Sequence, residues 1–187
     1  MRYTETTIPG VWVMEPEVCK DHRGYFFEAY QSANFRKHIG AVDFVQENES
    51  GSFQGVIRGL HYQLDPFAQA KLVRVIQGCV LDVAVDLRKG SPWFGKHIAI
   101  ELSAENKRQL FIPKGFAHGF HVLGEQAVFT YKVDNPYCAE AAQAIRYNDP
   151  ALGIDWKIPA NSPPILSDKD LGAPDLAEGI FNFMYHL

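Results

Sequence analysis

Histidines and cations stand where strands should be fully packed. Residues 55–63 read GVIRGLHYQ, which sets Arg58 and His61 among apolar neighbours. Residues 111–123 read FIPKGFAHGFHVL and place His118 and His121 in a second aromatic-rich segment, while 129–132, FTYK, add the Tyr131 phenol. One histidine on an apolar face is ordinarily a hydrogen-bonded core residue. Several histidines and cations sharing adjacent strands point instead to a ligand site inside a barrel.

These residues suit metal-free proton transfer better than a metal centre. Barrel metal sites commonly use a His-x-His pair with a carboxylate close behind, but Gln63 stands two places after His61 and no Glu follows shortly. His118 and His121 are three apart, so a regular strand points them to opposite faces and they cannot share a metal. No metal or other cofactor is expected, and His121 is read as packing. A C–H beside a carbonyl is abstracted when a base stands over it and the enolate oxygen is stabilised. Histidine is the natural base near neutrality, and a carboxylate on its other nitrogen fixes its tautomer. A tyrosine on the opposite face returns the proton and inverts the carbon, while a lysine or second histidine steadies the oxygen. His61, Tyr131, Lys71 and His118 are candidates for these roles, with Asp168 or Asp170 as the carboxylate. Arg23, within DHRGYFFE at 21–28, and Arg58 are candidates for anion recognition, since arginine meets phosphate bidentately.

The composition narrows the classes. With 187 residues the chain fits one domain over 1–187, built on a single core. Eighteen Lys and Arg against 22 Asp and Glu give a net charge of −4, which excludes a general nucleic-acid binder. Three cysteines, Cys19, Cys79 and Cys138, cannot all pair, which fits a reducing compartment. No signal-peptide pattern opens the chain and no apolar run is long enough to span a bilayer, so the expected setting is the cytoplasm with no membrane partner. The Asn48-Glu49-Ser50 sequon is then read as chance.

Strand signals dominate along the chain. Residues 72–87, LVRVIQGCVLDVAVDL, alternate on both sides of Gly78 and predict two strands joined by a short turn. Further strands are expected over 97–102, 109–112, 119–123 and 127–133, separated by breaks rich in Gly, Pro, Asn or Ser. One short helix is expected over 32–39, opened by a Ser32 cap and closed by Gly40. Pro and Gly multiply from Pro150 onward, so loops and short helical turns should pack outside the barrel. The fold expected is an all-β jelly-roll-like barrel with a small, α-rich C-terminal appendage.

The ordered motifs resemble a known family. They are Asp21-x-Arg23-Gly24-x-Phe26-x-Glu28, Gln46-x-Asn48-x-Ser50, residues 55–63, Lys71-Leu72-Val73-Arg74-Val75, Asp82-Val83-x-Val85-Asp86, FIPKGFAHGF at 111–120, Tyr131-Lys132 and Leu166-Ser167-x-Lys169-Asp170. In these the chain is similar to the dTDP-4-dehydrorhamnose 3,5-epimerases, metal-independent sugar-nucleotide epimerases of the cupin superfamily, from about Thr7 to Asp170. The resemblance implies a cupin-type jelly roll acting on a dTDP-linked 4-keto-6-deoxyhexose in dTDP-L-rhamnose biosynthesis. It implies His61 as base with Asp170 as its partner, Tyr131 as acid, and Lys71 and His118 near the sugar's C4 oxygen. It further implies nucleotide and pyrophosphate contacts from Arg23, Glu28, Gln46, Asn48 and Arg58, thymine or sugar contacts from Phe26 and Tyr137, and a phosphate contact from Lys169. The implied assembly is a homodimer whose N-terminal strand crosses to its partner, so that Arg23 and Glu28 complete the neighbour's site. One segment departs from the family pattern: its Glu-x-Gly falls on Ala142 and Ala144, with Glu140 or Gln143 as substitutes. The departure leaves open inversion of C3 alone or C5 alone. A non-catalytic sugar-nucleotide-binding cupin would not need His61, Asp170 and Tyr131 together, and a metal cupin would need ligands that are missing here.

Overall fold

The chain is described by a computed structural model covering residues 1–185. Thirteen strands follow one another: β1 (Arg2–Glu5), β2 (Trp12–Glu15), β3 (Cys19–Asp21), β4 (Gly24–Phe26), β5 (Gln46–Phe53), β6 (Ile57–Gln63), β7 (Lys71–Gln77), β8 (Cys79–Asp86), β9 (His97–Ser103), β10 (Gln109–Ile112), β11 (Phe116–Val122), β12 (Gln126–Val133) and β13 (Ala142–Ala144). The helices are short: α1 (Ser32–His38), α2 (Asp168–Leu171) and a 3₁₀ turn over Leu176–Glu178.

Two antiparallel sheets face each other in the jelly-roll manner of the cupins. One runs β1-β2-β10-β7-β12-β5 and the other β13-β6-β11-β8-β9. Their inner faces meet in a core that includes Val73, Val75, Val80, Ala84, Leu110, Phe120 and Phe129. The outer face of the second sheet is covered as well. Leu60, Leu81, Val83, Val85 and Ala117 pack there against Ile145, Leu152, Trp156, Phe181 and Phe183 from the C-terminal tail. On the first sheet's outer side, α1 seats Phe35 against Met14, Leu72 and Phe111. Burial of these apolar side chains stabilises the layers by about 1.5–3 kcal/mol apiece.

The two halves of residues 72–87 do form strands, but they are not partners. β7 lies in the first sheet and β8 in the second, so Gly78 carries the chain across the core instead of closing a hairpin. Nor does β8 alternate in burial. Seven of its eight residues are buried, because the tail covers one face and the core the other. Only a glycine fits the crossing. Gly78 has φ +78°, and a Cβ there would sit 1.9 Å from the Gln126 carbonyl oxygen.

Other expectations are corrected in detail. The Gln31 carbonyl already accepts from the Phe35 amide at 3.0 Å, so Gln31 is the N-cap and Ser32 is the first helical residue. The tail is mostly loop, with one four-residue helix and one 3₁₀ turn among its described residues. Strands β5 and β13 were not anticipated, and the N-terminal segment holds four strands, β1 to β4, where the resemblance implied one. In β5, Gln46, Asn48, Ser50 and Ser52 are each more buried than Glu47, Glu49, Gly51 and Phe53 between them, as the two-residue period of a strand requires. Among the described residues, no helix is long and apolar enough to cross a membrane.

Replacing Gly78 by alanine should therefore be severe for a single methyl group. Strained backbone and overlap with Gln126 together should cost about 2 kcal/mol or more. Urea unfolding of Gly78→Ala should show a clearly lowered midpoint; an unchanged midpoint would mean that the crossing relaxes freely.

Candidate active site

The inner faces of the sheets diverge at one end, where polar side chains replace the core. His61 on β6 and His118 on β11 are direct partners across an antiparallel ladder, so both rings leave the same face of the second sheet. Asp82 on β8 reaches the same face, because it is two residues from Ala84, the partner of His118. Opposite them, Lys71 pairs with Val133 and Tyr131 pairs with Val73, which sets these two side chains on one face of the first sheet. Arg58 joins from β6. A shift of register between His118 and Phe120 brings it to the cavity although it is three residues from His61. Gly59, at φ +129°, fits the close approach there, where a Cβ would lie 2.5 Å from the Gly119 Cα.

These groups line two connected hollows. The larger, about 440 Å³, is bounded by Ser50, Arg58, His118, Phe129, Ser167 and Asp170, along with His61, Lys71 and Tyr131. A smaller one of about 230 Å³ shares those last three residues and adds Gln46, Asn48, Gln69, Tyr137, Gln143 and Lys169. His61, Lys71 and Tyr131 thus border both. The volume lies in the ordinary range for small-molecule sites.

The tail supplies the carboxylate for His61. Ile165 pairs with Gly55 and Ile57 at the start of β6, and Ser167 then caps α2 by accepting the Asp170 amide at 3.2 Å. That turn delivers Asp170, 3% exposed, against the ring. The His61 Nε2–H donates to Asp170 Oδ1, and the Ser167 hydroxyl donates to Oδ2 at 2.9 Å. Burial alone would raise the Asp170 carboxyl, but the His61 and Ser167 bonds, with help from the Gly59 amide, hold it below its ordinary value. Asp168, the other carboxylate considered, is exposed. With Nε2 committed to Asp170, Nδ1 of His61 is left as the basic nitrogen.

A second His–carboxylate pair lies deeper. The His118 Nε2–H donates to Asp82 Oδ2 at 2.9 Å, and Asp82 is fully buried. Burial pushes the His118 imidazole below its usual value, with Asp82 opposing and Lys71 and His61 reinforcing the fall. The ring is therefore neutral at physiological pH and presents Nδ1 as an acceptor. Burial also lowers Lys71 to about 8, partly offset by the Asp82 charge. The Tyr131 phenol is raised by burial and eased back by Arg58 and Asn48, so it is a neutral acid at pH 7. His121 points the other way, donating from Nδ1 to the Trp156 carbonyl at 2.7 Å beneath the tail. No group of three or more His, Cys, Asp or Glu side chains among the described residues could hold a metal ion.

Ten of the thirteen expected site residues meet at these hollows. The other three do not. Arg23 and Phe26 sit on the exposed β3–β4 hairpin, where Arg23 pairs with Asp21 at 2.6 Å. Glu28 borders a separate groove beside Arg74 and Lys132. Asp82 and Ser167 were given no role beforehand. The signal for Asp82 was a lone acid inside the apolar run CVLDVAVD; for Ser167 it was a cap residue three places before Asp170.

Comparison with known proteins gives the family. A family model for dTDP-4-dehydrorhamnose 3,5-epimerase matches residues 5–178. The chain belongs to the dTDP-4-dehydrorhamnose 3,5-epimerase family. It is 53% identical over 171 residues to the dTDP-4-dehydrorhamnose 3,5-epimerase of Pseudomonas aeruginosa, covering 91% of this chain and 93% of that one. The fold superposes with a TM-score of 0.90 on the Legionella pneumophila 3,5-epimerase in complex with dTDP-4-keto-L-rhamnose, at 46% identity over 95% of this chain and 93% of the other. A 3′-monoepimerase from Streptomyces bikiniensis, in complex with dTDP-quinovose, also superposes, at 35% identity and a TM-score of 0.86 over 92% and 87% of the two chains. The family's members are isomerases, and this chain is one of them. Its departure from the epimerase pattern is local. Ala142 and Ala144 lie in β13 opposite Gln63 and His61, Gln143 borders the smaller hollow, and Glu140 is exposed beside the Cys138 thiol.

The two inward and outward histidines should separate cleanly in an epimerase assay. His61→Asn should lose about 10²–10⁴-fold in turnover with the fold intact, the usual worth of a positioned base. His121→Asn should lose far less. Equal losses at both positions would mean that the base is assigned to the wrong ring.

Proposed function

We propose that this chain inverts C3 and C5 of dTDP-4-dehydro-6-deoxy-D-glucose, giving dTDP-4-dehydro-L-rhamnose for dTDP-L-rhamnose biosynthesis. The observation that carries the reading is the convergence of His61, Lys71 and Tyr131 from two facing sheets on one cavity. His61 Nδ1 takes the proton from a carbon next to the C4 ketone, and the imidazolium formed is stabilised by Asp170. The electron pair moves onto the C4 oxygen, where the Lys71 ammonium donates to it. Tyr131, on the opposite sheet, gives its phenolic proton to the other face of the carbon and the configuration inverts. Exchange with water restores both groups before the second carbon reacts.

The nucleotide half is read from the cavity walls. Arg58, held by Ser52 at 3.0 Å in the larger hollow, supplies charge for the pyrophosphate, and Gln46, Asn48, Tyr137 and Lys169 in the smaller hollow supply further nucleotide and sugar contacts. Arg23, Phe26 and Glu28 lie away from their own cavity on an arm with Phe26 75% exposed. A homodimer that exchanges this arm would bring them over the neighbour's site. Three free cysteines fit a cytoplasmic setting. The second reading, inversion of one carbon alone, is favoured by Ala142 and Ala144 and by the likeness to the 3′-monoepimerase.

Tyr131→Phe tests the two-face mechanism. The variant removes the acid and keeps shape, so His61 should still exchange substrate hydrogen with deuterated solvent on its own face. Net inversion should fall by about 10²-fold or more. Inversion at the normal rate would assign the acid elsewhere; loss of exchange together with inversion in a folded protein would assign Tyr131 to the first proton transfer.

A further inference from the structure

Asp82 is not accounted for by the reaction as drawn. It stands in the middle of β8, 0% exposed, and only one of its carboxylate oxygens is used. Oδ2 accepts from His118, whereas Oδ1 is sealed from solvent and has no hydrogen-bond partner. A neutral imidazole gives one hydrogen bond and no charge, so it does not compensate a buried carboxylate. The compensating cation must come from the facing sheet. Lys71 is there, 8% exposed, within reach of the Asp82 field.

The other charged groups around the pair do not serve. His61 on β6 is committed to Asp170, Tyr131 on β12 carries no positive charge, and Arg58 bonds Ser52 and the Gly51 carbonyl at the far wall. Glu49 on β5 is an acid. The remaining strands offer apolar residues at the facing positions: Ile100 on β9 opposite Asp82, and Ile112 on β10 opposite Lys71. Among the described residues, Lys71 is the one cation placed to balance Asp82.

We propose that Asp82 is a positioning residue for the epimerisation: its carboxylate keeps Lys71 as an ammonium aimed into the cavity and accepts the hydrogen bond of the His118 Nε2–H, so that His118 is an acceptor at Nδ1 and Lys71 is the donor to the ketone oxygen. The inference rests on the assignment of Lys71 to that oxygen. It adds why a lysine in an apolar wall stays charged. Without the carboxylate, burial would act on Lys71 unopposed, and its ammonium would be lost at lower pH.

Asp82→Asn keeps the side-chain shape and removes the charge. In this variant the alkaline limb of kcat for the epimerisation should move down by about one pH unit or more, with KM changed much less. Loss at pH 8 should thus exceed loss at pH 6.5. A loss equal at every pH, or an unmoved limb, overturns the inference alone. Lys71→Met serves as the reference: if it keeps most of its turnover, the role of Lys71 fails and the inference falls with it. Thermal melting keeps the test alive if Asp82→Asn folds poorly. Lys71→Met strands a buried carboxylate, so adding Asp82→Asn should raise its melting temperature. A double variant less stable than Lys71→Met overturns the pairing.

Discussion

The hydrogen bond between His61 and Asp170 joins residues 109 apart in sequence, and the arrangement of the molecule follows from keeping it intact. A buried carboxylate needs partners, and three groups supply them: the imidazole and the Gly59 amide of β6, and the Ser167 cap of α2. The tail covers the outer face of the second sheet on either side of α2, burying Trp156 before it and Phe181 and Phe183 after it. That covering layer is also why β8 and β11 are buried on both sides. The open, polar end of the barrel and its C-terminal wrapping are therefore one unit. The bond fixes the ring's tautomer, and the wrapping fixes the bond.

Much of this is legible in the sequence, and the reasons are physical. An Arg and a His inside GVIRGLHYQ cannot be core residues without partners, so the segment advertised a site. The spacing of His118 and His121 separated the inward ring from the one that packs on Trp156, because a strand turns over every residue. What was hidden was long-range. Nothing local says that residues 71–77 and 79–86 belong to different sheets; the alternation is the same for a hairpin and for a crossing, and only packing decides. The shift of register that brings Arg58 beside His61 is likewise a property of paired strands, not of either alone. Asp82 was legible as an anomaly, but its use depends on a lysine from the opposite sheet. The motif bearing Arg23 and Phe26 was recognised, though not as a hairpin, and in a single chain it reaches neither hollow.

Family membership and local chemistry agree without being redundant. Identity of 53% to the Pseudomonas aeruginosa epimerase establishes the kind of enzyme, whereas the geometry says what each side chain is able to do. Two histidines with the same Nε2-to-carboxylate wiring sit side by side, yet their surroundings give them different tasks. His61 borders both hollows and is half-buried; His118 is buried against Phe129 and kept neutral. The family's Glu-x-Gly is replaced in β13, where Ala142 borders the smaller hollow and Ala144 pairs with His61.

The central claim is that the cavity between His61 and Tyr131 removes and returns protons at the carbons flanking the ketone. The most direct measurement is turnover of dTDP-4-dehydro-6-deoxy-D-glucose by the unaltered protein in deuterated water, with deuterium resolved by carbon. The account predicts solvent deuterium at both C3 and C5 of the inverted product. Inverted product formed without deuterium at either carbon, or no exchange and no product at all, would contradict it.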